Sequence, residues 1–139
     1  MKREIIFRGQ RVDNKEWIEG SLVMVNNGET LNRYPCIVFS YNHDTFDWYE
    51  VIPETVGQFT GLKDKKGKKI FEGDKVHFDG KPYNVYDLKV DGIIVNHKGS
   101  WAIKHQATFT KEIHFCYKLF SSEDFVGKKS EIIGNIHEP

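Results

Sequence analysis

Short apolar runs alternate with polar turn clusters along the chain, and this pattern is typical of a β protein. Two runs lie within residues 4–25 and are separated by residues 13–16, whose polar side chains favour a turn over ladder positions. The second run ends at residues 26–28, where two asparagines and a glycine can adopt the positive φ of a tight turn. The sequence therefore predicts an N-terminal hairpin followed closely by further strands.

Later runs extend this prediction to the end of the chain. Residues 35–39 and 46–52 are predicted as two more strands before Pro53, which has no backbone N–H for a ladder. Further candidate strands are residues 70–71, 76–78, 83–86, 93–95, 101–103, 112–120 and 131–136. Strands this short and frequent predict an all-β fold, a small barrel or sandwich of antiparallel strands.

A length of 139 residues predicts a single domain, with two subdomains sharing a core as an alternative. Glycines interrupt the apolar residues of 55–62, which favours a bent segment between two parts of the fold. The predicted subdomains are residues 1–54, a hairpin and sheet, and residues 55–139, a small barrel. The Gly-Asp-Lys-Val sequence at 73–76 is similar to the start of a strand in SH3-like barrels.

The charge is balanced over the whole chain but not along it. Lysine plus arginine equals aspartate plus glutamate at 20 each, so no global field attracts nucleic acid or membranes.

Cys36 and Cys116 stand singly in apolar or aromatic runs, which predicts buried thiols. The apolar run after Met1 is too short for a signal peptide, and no stretch approaches the roughly 20 apolar residues of a membrane span. The expected compartment is the cytoplasm.

Five lysines lie in or next to the predicted turn at residues 64–67. These candidate nucleic-acid-binding residues are Lys63, Lys65, Lys66, Lys68 and Lys69. Ammonium groups on a projecting hairpin can displace counterions from phosphates, although a solvated turn explains the same residues. Because the net charge is zero, nucleic-acid binding is the second choice of function.

An acidic stretch precedes the lysine cluster and contains no lysine or arginine. Its acidic residues are Asp44, Asp47, Glu50 and Glu54. This stretch suits a divalent cation or a basic partner, and a charged loop and strand edge explains it equally. Its sign is opposite to that of the lysine cluster, so the two could also meet between identical subunits.

Catalytic and metal-binding patterns find little support. His97, His105 and His114 fall on different predicted strands, and no short pair such as His-x-His anchors a metal site. The chain has no Gly-x-Ser-x-Gly elbow, no phosphate loop and no His-Glu-x-x-His pattern. Most of the many aromatic residues are expected to pack in the core. The sequence therefore favours a non-enzymatic protein without a cofactor.

Three blocks of sequence carry a family resemblance. Residues 7–20 (FRGQRVDNKEWIEG), residues 53–76, which begin PETVGQFTGLKD, and residues 131–138 (EIIGNIHE) follow one another over nearly the whole chain. Their order and spacing resemble the YopX-like family of bacteriophage and prophage proteins. The resemblance implies a phage or prophage origin, a mostly β fold, and no established activity or catalytic residues.

These observations together predict a protein-binding or self-assembly module. We expect a homo-oligomer or a complex with a host or phage protein in the cytoplasm of a bacterial cell, with no membrane association. The alternative is a nucleic-acid-binding small barrel that uses the lysine-rich hairpin at residues 63–69.

Overall fold

The computed structural model describes residues 4–29, 32–40, 42–80, 88–106, 112–115 and 129–138, and these residues are mainly β-strands. The strands are β1 (Phe7–Gln10), β2 (Trp17–Asn26), β3 (Arg33–Ser40), β4 (Phe46–Glu50), β5 (Gly57–Lys63), β6 (Lys69–Phe71), β7 (Asp74–Gly80), β8 (Leu88–His97), β9 (Ser100–Gln106), β10 (Glu112–Phe115) and β11 (Ser130–Asn135). A 3-10 turn at Pro53–Thr55 joins β4 to β5. The predicted all-β class is confirmed.

The chain forms two compact units, Met1–Phe59 and Thr60–Pro139. The division falls inside β5, whereas the sequence placed the subdomain boundary after residue 54. The difference arises because Pro53 ends the run of β4 but the chain re-enters the sheet after one 3-10 turn. The first residues of β5 then pair with β1, with Gln58 opposite Phe7 and Gly57 opposite Arg8.

In the first unit, β1 and β2 form the predicted N-terminal hairpin, with Phe7 opposite Gly20 and Gln10 opposite Trp17. Strands β3 and β4 continue the antiparallel pairing, so the strand order in this unit is β4-β3-β2-β1-β5. Ile37 and Val51 are fully buried on it. The close packing requires Gly20, since a Cβ there would lie 2.3 Å from the carbonyl oxygen of Val38.

The second unit contains the sheet β10-β9-β8-β7-β11, in which β7 to β10 form a meander and β11 returns to pair with β7. One side of this sheet contributes Val76, Phe78, Val90, Ile94, Trp101 and Ile103 to a buried cluster that also includes Ile70 of β6. Neither sheet closes into a barrel among the described strands, so of the two predicted alternatives the structure is consistent with the sandwich. The likeness of this unit to an SH3-like barrel stays a prediction.

Candidate interaction surfaces

The turn between β5 and β6 is closed by the side chain of Asp64. Its Oδ1 accepts hydrogen bonds from the backbone N–H groups of Lys66 and Lys68, both at 2.9 Å. The Asp64 N–H donates to the Lys68 carbonyl at 2.7 Å, and the Gly67 N–H donates to the Asp64 carbonyl at 3.0 Å. Gly67 has a φ of 83°, which glycine adopts without strain. These bonds hold the lysine-rich hairpin, residues 63–69, in one conformation.

The same carboxylate ties the hairpin to β11. Its Oδ2 accepts a hydrogen bond from the Ile132 N–H at 3.1 Å, and beside it the Lys65 N–H donates to the Ser130 carbonyl at 2.9 Å. Burial by itself would raise the pKa of the Asp64 carboxyl. The three backbone donors and the positive charge of Lys68 outweigh burial and hold that pKa below its usual value. Asp64 is only 5% exposed, so the hairpin base is buried although its tip is solvated.

The structure separates the five candidate lysines by environment. Lys65 and Lys66 both pair with Glu131 of β11, with Nζ to carboxylate oxygen distances of 3.2 and 2.5 Å. The hydrogen bond from Lys66, with that from Lys65, lowers the pKa of Glu131, and the same carboxylate raises the pKa of Lys66. Lys63 and Lys68 are exposed, and within the described ranges neither forms an ion pair. Two of the five ammonium groups are therefore already partly neutralised.

Lys69, the last member of the cluster, is half-buried at the start of β6. Glu131 also belongs to a polar row on the second sheet. In this row Glu131 of β11 lies opposite His77 of β7, and His77 lies opposite Asp91 of β8. The Nδ1 atom of His77 is 2.5 Å from an Asp91 carboxylate oxygen. This surface of the second unit is thus a mixture of both charges, not a uniformly basic one.

One face of the first sheet exposes three large apolar side chains that sequence reasoning did not identify. Because side chains alternate along a strand and opposed residues share a face, Phe46, Trp48 and Glu50 of β4 lie on the same face as Val38 and Val23. We call these five residues the aromatic face. Phe46 is 65% exposed, Trp48 is 52% exposed and Val23 is 43% exposed. Aromatic residues were expected mostly in the core, and Trp101 does lie there, but Trp48 does not.

Arginine guanidinium groups lie over two other aromatic rings of the first sheet. The Cζ atom of Arg8 lies 4.9 Å from the ring centroid of Trp17, and that of Arg11 lies 3.7 Å from the ring of Tyr49. A hydrogen bond from Arg11 to Asp13 raises the pKa of Arg11 and lowers that of Asp13. The ring of Trp48 has no such cation among the described residues.

The structure describes some of the residues considered in the sequence as buried thiols or as metal ligands. Cys36 is fully buried in β3, as predicted, and burial, with the negative charge of Glu50, raises the pKa of its thiol. Cys116 lies outside the described residues, and so do the side chains of His105 and His114. In the described ranges no three His, Cys, Asp or Glu side chains are grouped as metal ligands would be.

Two signals in the sequence point to what was missed. In β4 the even-numbered residues Phe46 and Trp48 alternate with Asp47 and Tyr49, a period of two that places both large apolar side chains on one face. An aspartate three residues before a turn glycine is the ordinary signal for a side chain that caps its own turn. The contact of Asp64 with β11 has no local signal.

No helix in the described ranges is long and apolar enough to cross a membrane.

Comparison with known proteins identifies the family but adds no chemistry. The family model described as YopX protein matches residues 6–139. No curated protein matches the chain. A similar solved structure is the crystal structure of protein EF1440 from Enterococcus faecalis, at 19% identity and a TM-score of 0.49, over 99% of this chain and 96% of that chain. Since the family model covers nearly the whole sequence, the chain belongs to the YopX protein family.

Proposed function

We propose that the protein is a non-enzymatic module that binds another protein or assembles with itself through the aromatic face. The observation that carries this proposal is the exposure of Phe46, Trp48 and Val23 on one side of a single sheet. Several large apolar side chains exposed on one side of a sheet indicate an interaction site, because leaving them in water is unfavourable. Trp and Phe also supply large contact areas at a small cost in side-chain entropy.

The position of β4 supports the same proposal. This strand is the end strand of the order β4-β3-β2-β1-β5, so a row of its backbone groups is directed away from β3. One group in that row is already hydrogen-bonded, since the Val12 N–H donates to the Glu50 carbonyl at 3.1 Å. A partner strand or surface covering the rest would satisfy exposed backbone groups as well as bury the rings. The proposed setting is the cytoplasm of a bacterial host, with an identical subunit or a phage or host protein as partner.

A double substitution of the aromatic face tests the proposal. Phe46→Ser/Trp48→Ser is compared with Ile5→Ser/Ile133→Ser, which removes side chains that are 65% and 55% exposed elsewhere. Light scattering after size exclusion measures the mass of the assembly, and affinity capture from the bacterial host measures bound protein. We expect loss of assembly, or of a specifically captured protein, only in the first variant. Identical behaviour of wild type and both variants would contradict the proposal.

The second candidate function is nucleic-acid binding by the lysine-rich hairpin. It is favoured by the rigid Asp64-closed turn, which presents the exposed Lys63 and Lys68 without further ordering of the backbone. The pairing of Lys65 and Lys66 with Glu131 weighs against it, because phosphates would have to compete with a carboxylate for two of the lysines.

This alternative makes two opposite predictions. Lys63→Glu/Lys68→Glu should weaken binding to DNA or RNA and flatten its salt dependence, since each lost phosphate contact reduces the slope of log K against log salt by about 0.9 for duplex DNA. Glu131→Gln should strengthen binding by releasing Lys65 and Lys66. Fluorescence anisotropy at several salt concentrations measures both. If wild-type protein binds neither nucleic acid at low salt, this candidate is eliminated.

A further inference from the structure

The aromatic face has the chemistry of a site for a lysine ammonium group. In the first sheet, arginine side chains lie over Trp17 and Tyr49, but the half-exposed Trp48 ring has no cation over it among the described residues. Glu50 follows on the same face two residues later and is exposed. A ring face beside a carboxylate attracts a cation through both the ring quadrupole and the formal charge.

The lysine-rich hairpin carries groups that match this site. Lys63 and Lys68 are exposed and form no ion pair within the described ranges, whereas Lys65 and Lys66 are occupied by Glu131. Lysine stems are apolar, so they can cover a ring while the ammonium group reaches a carboxylate. Asp64 holds the backbone of the hairpin in place, which lowers the entropy that binding would remove.

The charges of the two units are complementary. Residues 1–59 contain six lysines and arginines and nine aspartates and glutamates; because the chain has 20 of each class, residues 60–139 contain 14 and 11. No lysine or arginine occurs between Arg33 and Lys63, the stretch that includes β4. Since the whole chain has no net charge, two copies do not repel each other at long range, and opposite surfaces can meet.

We propose that the aromatic face of one copy receives the lysine-rich hairpin of a second copy, with Lys63 or Lys68 placed over Trp48 and paired with Glu50. This inference rests on the proposed self-assembly function and names its partner and contact. The two surfaces differ, so the contact is heterologous: it closes when the rotation between copies allows a ring or a reciprocal pair, and it otherwise extends into a chain.

A charge-exchange experiment tests the contact. Glu50→Lys and Lys63→Glu/Lys68→Glu are prepared separately, and sedimentation velocity measures self-association of each over a concentration series. We expect each to associate at least about tenfold more weakly than wild type, because like charges then face each other. An equimolar mixture should associate again, since the reversed charges are complementary. Trp48→Ser should weaken association by at least about twofold through loss of the ring contact.

Matched variants separate this contact from general charge effects. Glu29→Lys changes the net charge as Glu50→Lys does, and Lys75→Glu/Lys98→Glu changes it as the hairpin variant does; all three residues are exposed and lie off both surfaces. These controls should associate like wild type. Near-ultraviolet circular dichroism verifies that every variant is folded.

Three results would overturn the inference. Unchanged association of both charge-reversed proteins would exclude the contact but leave self-assembly through the aromatic face intact. Weakened proteins that fail to associate when mixed would show that the two surfaces do not meet. A wild-type protein that remains monomeric at every concentration would exclude the second copy as partner, and capture of another protein by the aromatic face would then decide the proposed function.

Discussion

The Asp64 carboxylate and the Ile132 backbone N–H are joined by a 3.1 Å hydrogen bond although 68 residues separate them in the chain. The same side chain accepts hydrogen bonds from Lys66 and Lys68, so one buried carboxylate closes the turn and attaches it to β11. A backbone bond from Lys65 to Ser130 lies beside this contact. One side chain therefore contributes both to the conformation of the lysine-rich hairpin and to its place in the second unit.

Asp64→Asn should lower the free energy of unfolding by about 1–3 kcal/mol. The substitution keeps the size of the side chain but replaces one acceptor oxygen with a donor that would face a backbone N–H. Urea denaturation measures the change. Asp44→Asn, at an exposed aspartate, should alter stability by less than about 0.5 kcal/mol. Equal effects of the two substitutions would show that the buried hydrogen bonds do not stabilise the fold.

Acid should remove the contribution of Asp64. The folded-state pKa of Asp64 lies below its usual value, because the backbone donors and Lys68 outweigh the effect of burial. Its stabilising effect is thus complete above the unfolded pKa of about 4 and is lost as the pH falls through the lower folded pKa. The stability difference between wild type and Asp64→Asn should shrink as the pH decreases below about 4. Urea midpoints at a series of pH values measure it, and a constant difference would contradict this assignment.

Gly20→Ala should destabilise the first unit by more than about 3 kcal/mol, the upper end of ordinary overpacking. The new methyl group would lie 2.3 Å from the Val38 carbonyl oxygen, and a strand backbone cannot move as a flexible side chain does. Gly28→Ala is the comparison, since it has open space around it but a φ of 81°, which costs about 1–2 kcal/mol. Thermal unfolding of both variants tests the order, and a smaller loss for Gly20→Ala would contradict the packing.

Cys36 should resist thiol reagents in the folded protein. It is fully buried, and burial with the nearby negative charge of Glu50 raises the pKa of its thiol, so the reactive thiolate is both rare and inaccessible. In a Cys116→Ser background, a chromogenic disulfide should react with the native protein more than about tenfold slower than in denaturant, since a local opening must come first. Equal rates would mean that β3 opens freely.

Local patterns were sufficient for most of the described strands and for several turns. They did not predict β5, where the glycines indicated only a bent segment, and the predicted strand at residues 83–86 lies outside the described residues. The hairpin of β1 and β2 could be predicted because the turn residues 13–16 and the flanking apolar runs are adjacent in the chain. The extent of the first unit could not, since pairing of Gly57 and Gln58 with β1 joins residues about 50 positions apart. The same limit applies to the lysines: their number was evident, but their separation by Glu131 depends on a strand far along the chain.

The sequence by itself determined that this protein is built from short antiparallel strands, because turn chemistry and the spacing of apolar residues act between near neighbours. Its family membership also follows from the sequence alone. Only the tertiary structure decided that Trp48 is exposed while Trp101 is buried, and that Asp64 is a buried hydrogen-bond acceptor in a turn that looked fully solvated. Exposure and long-range hydrogen bonding depend on which strands become neighbours, and this is a property of the folded chain rather than of any local segment.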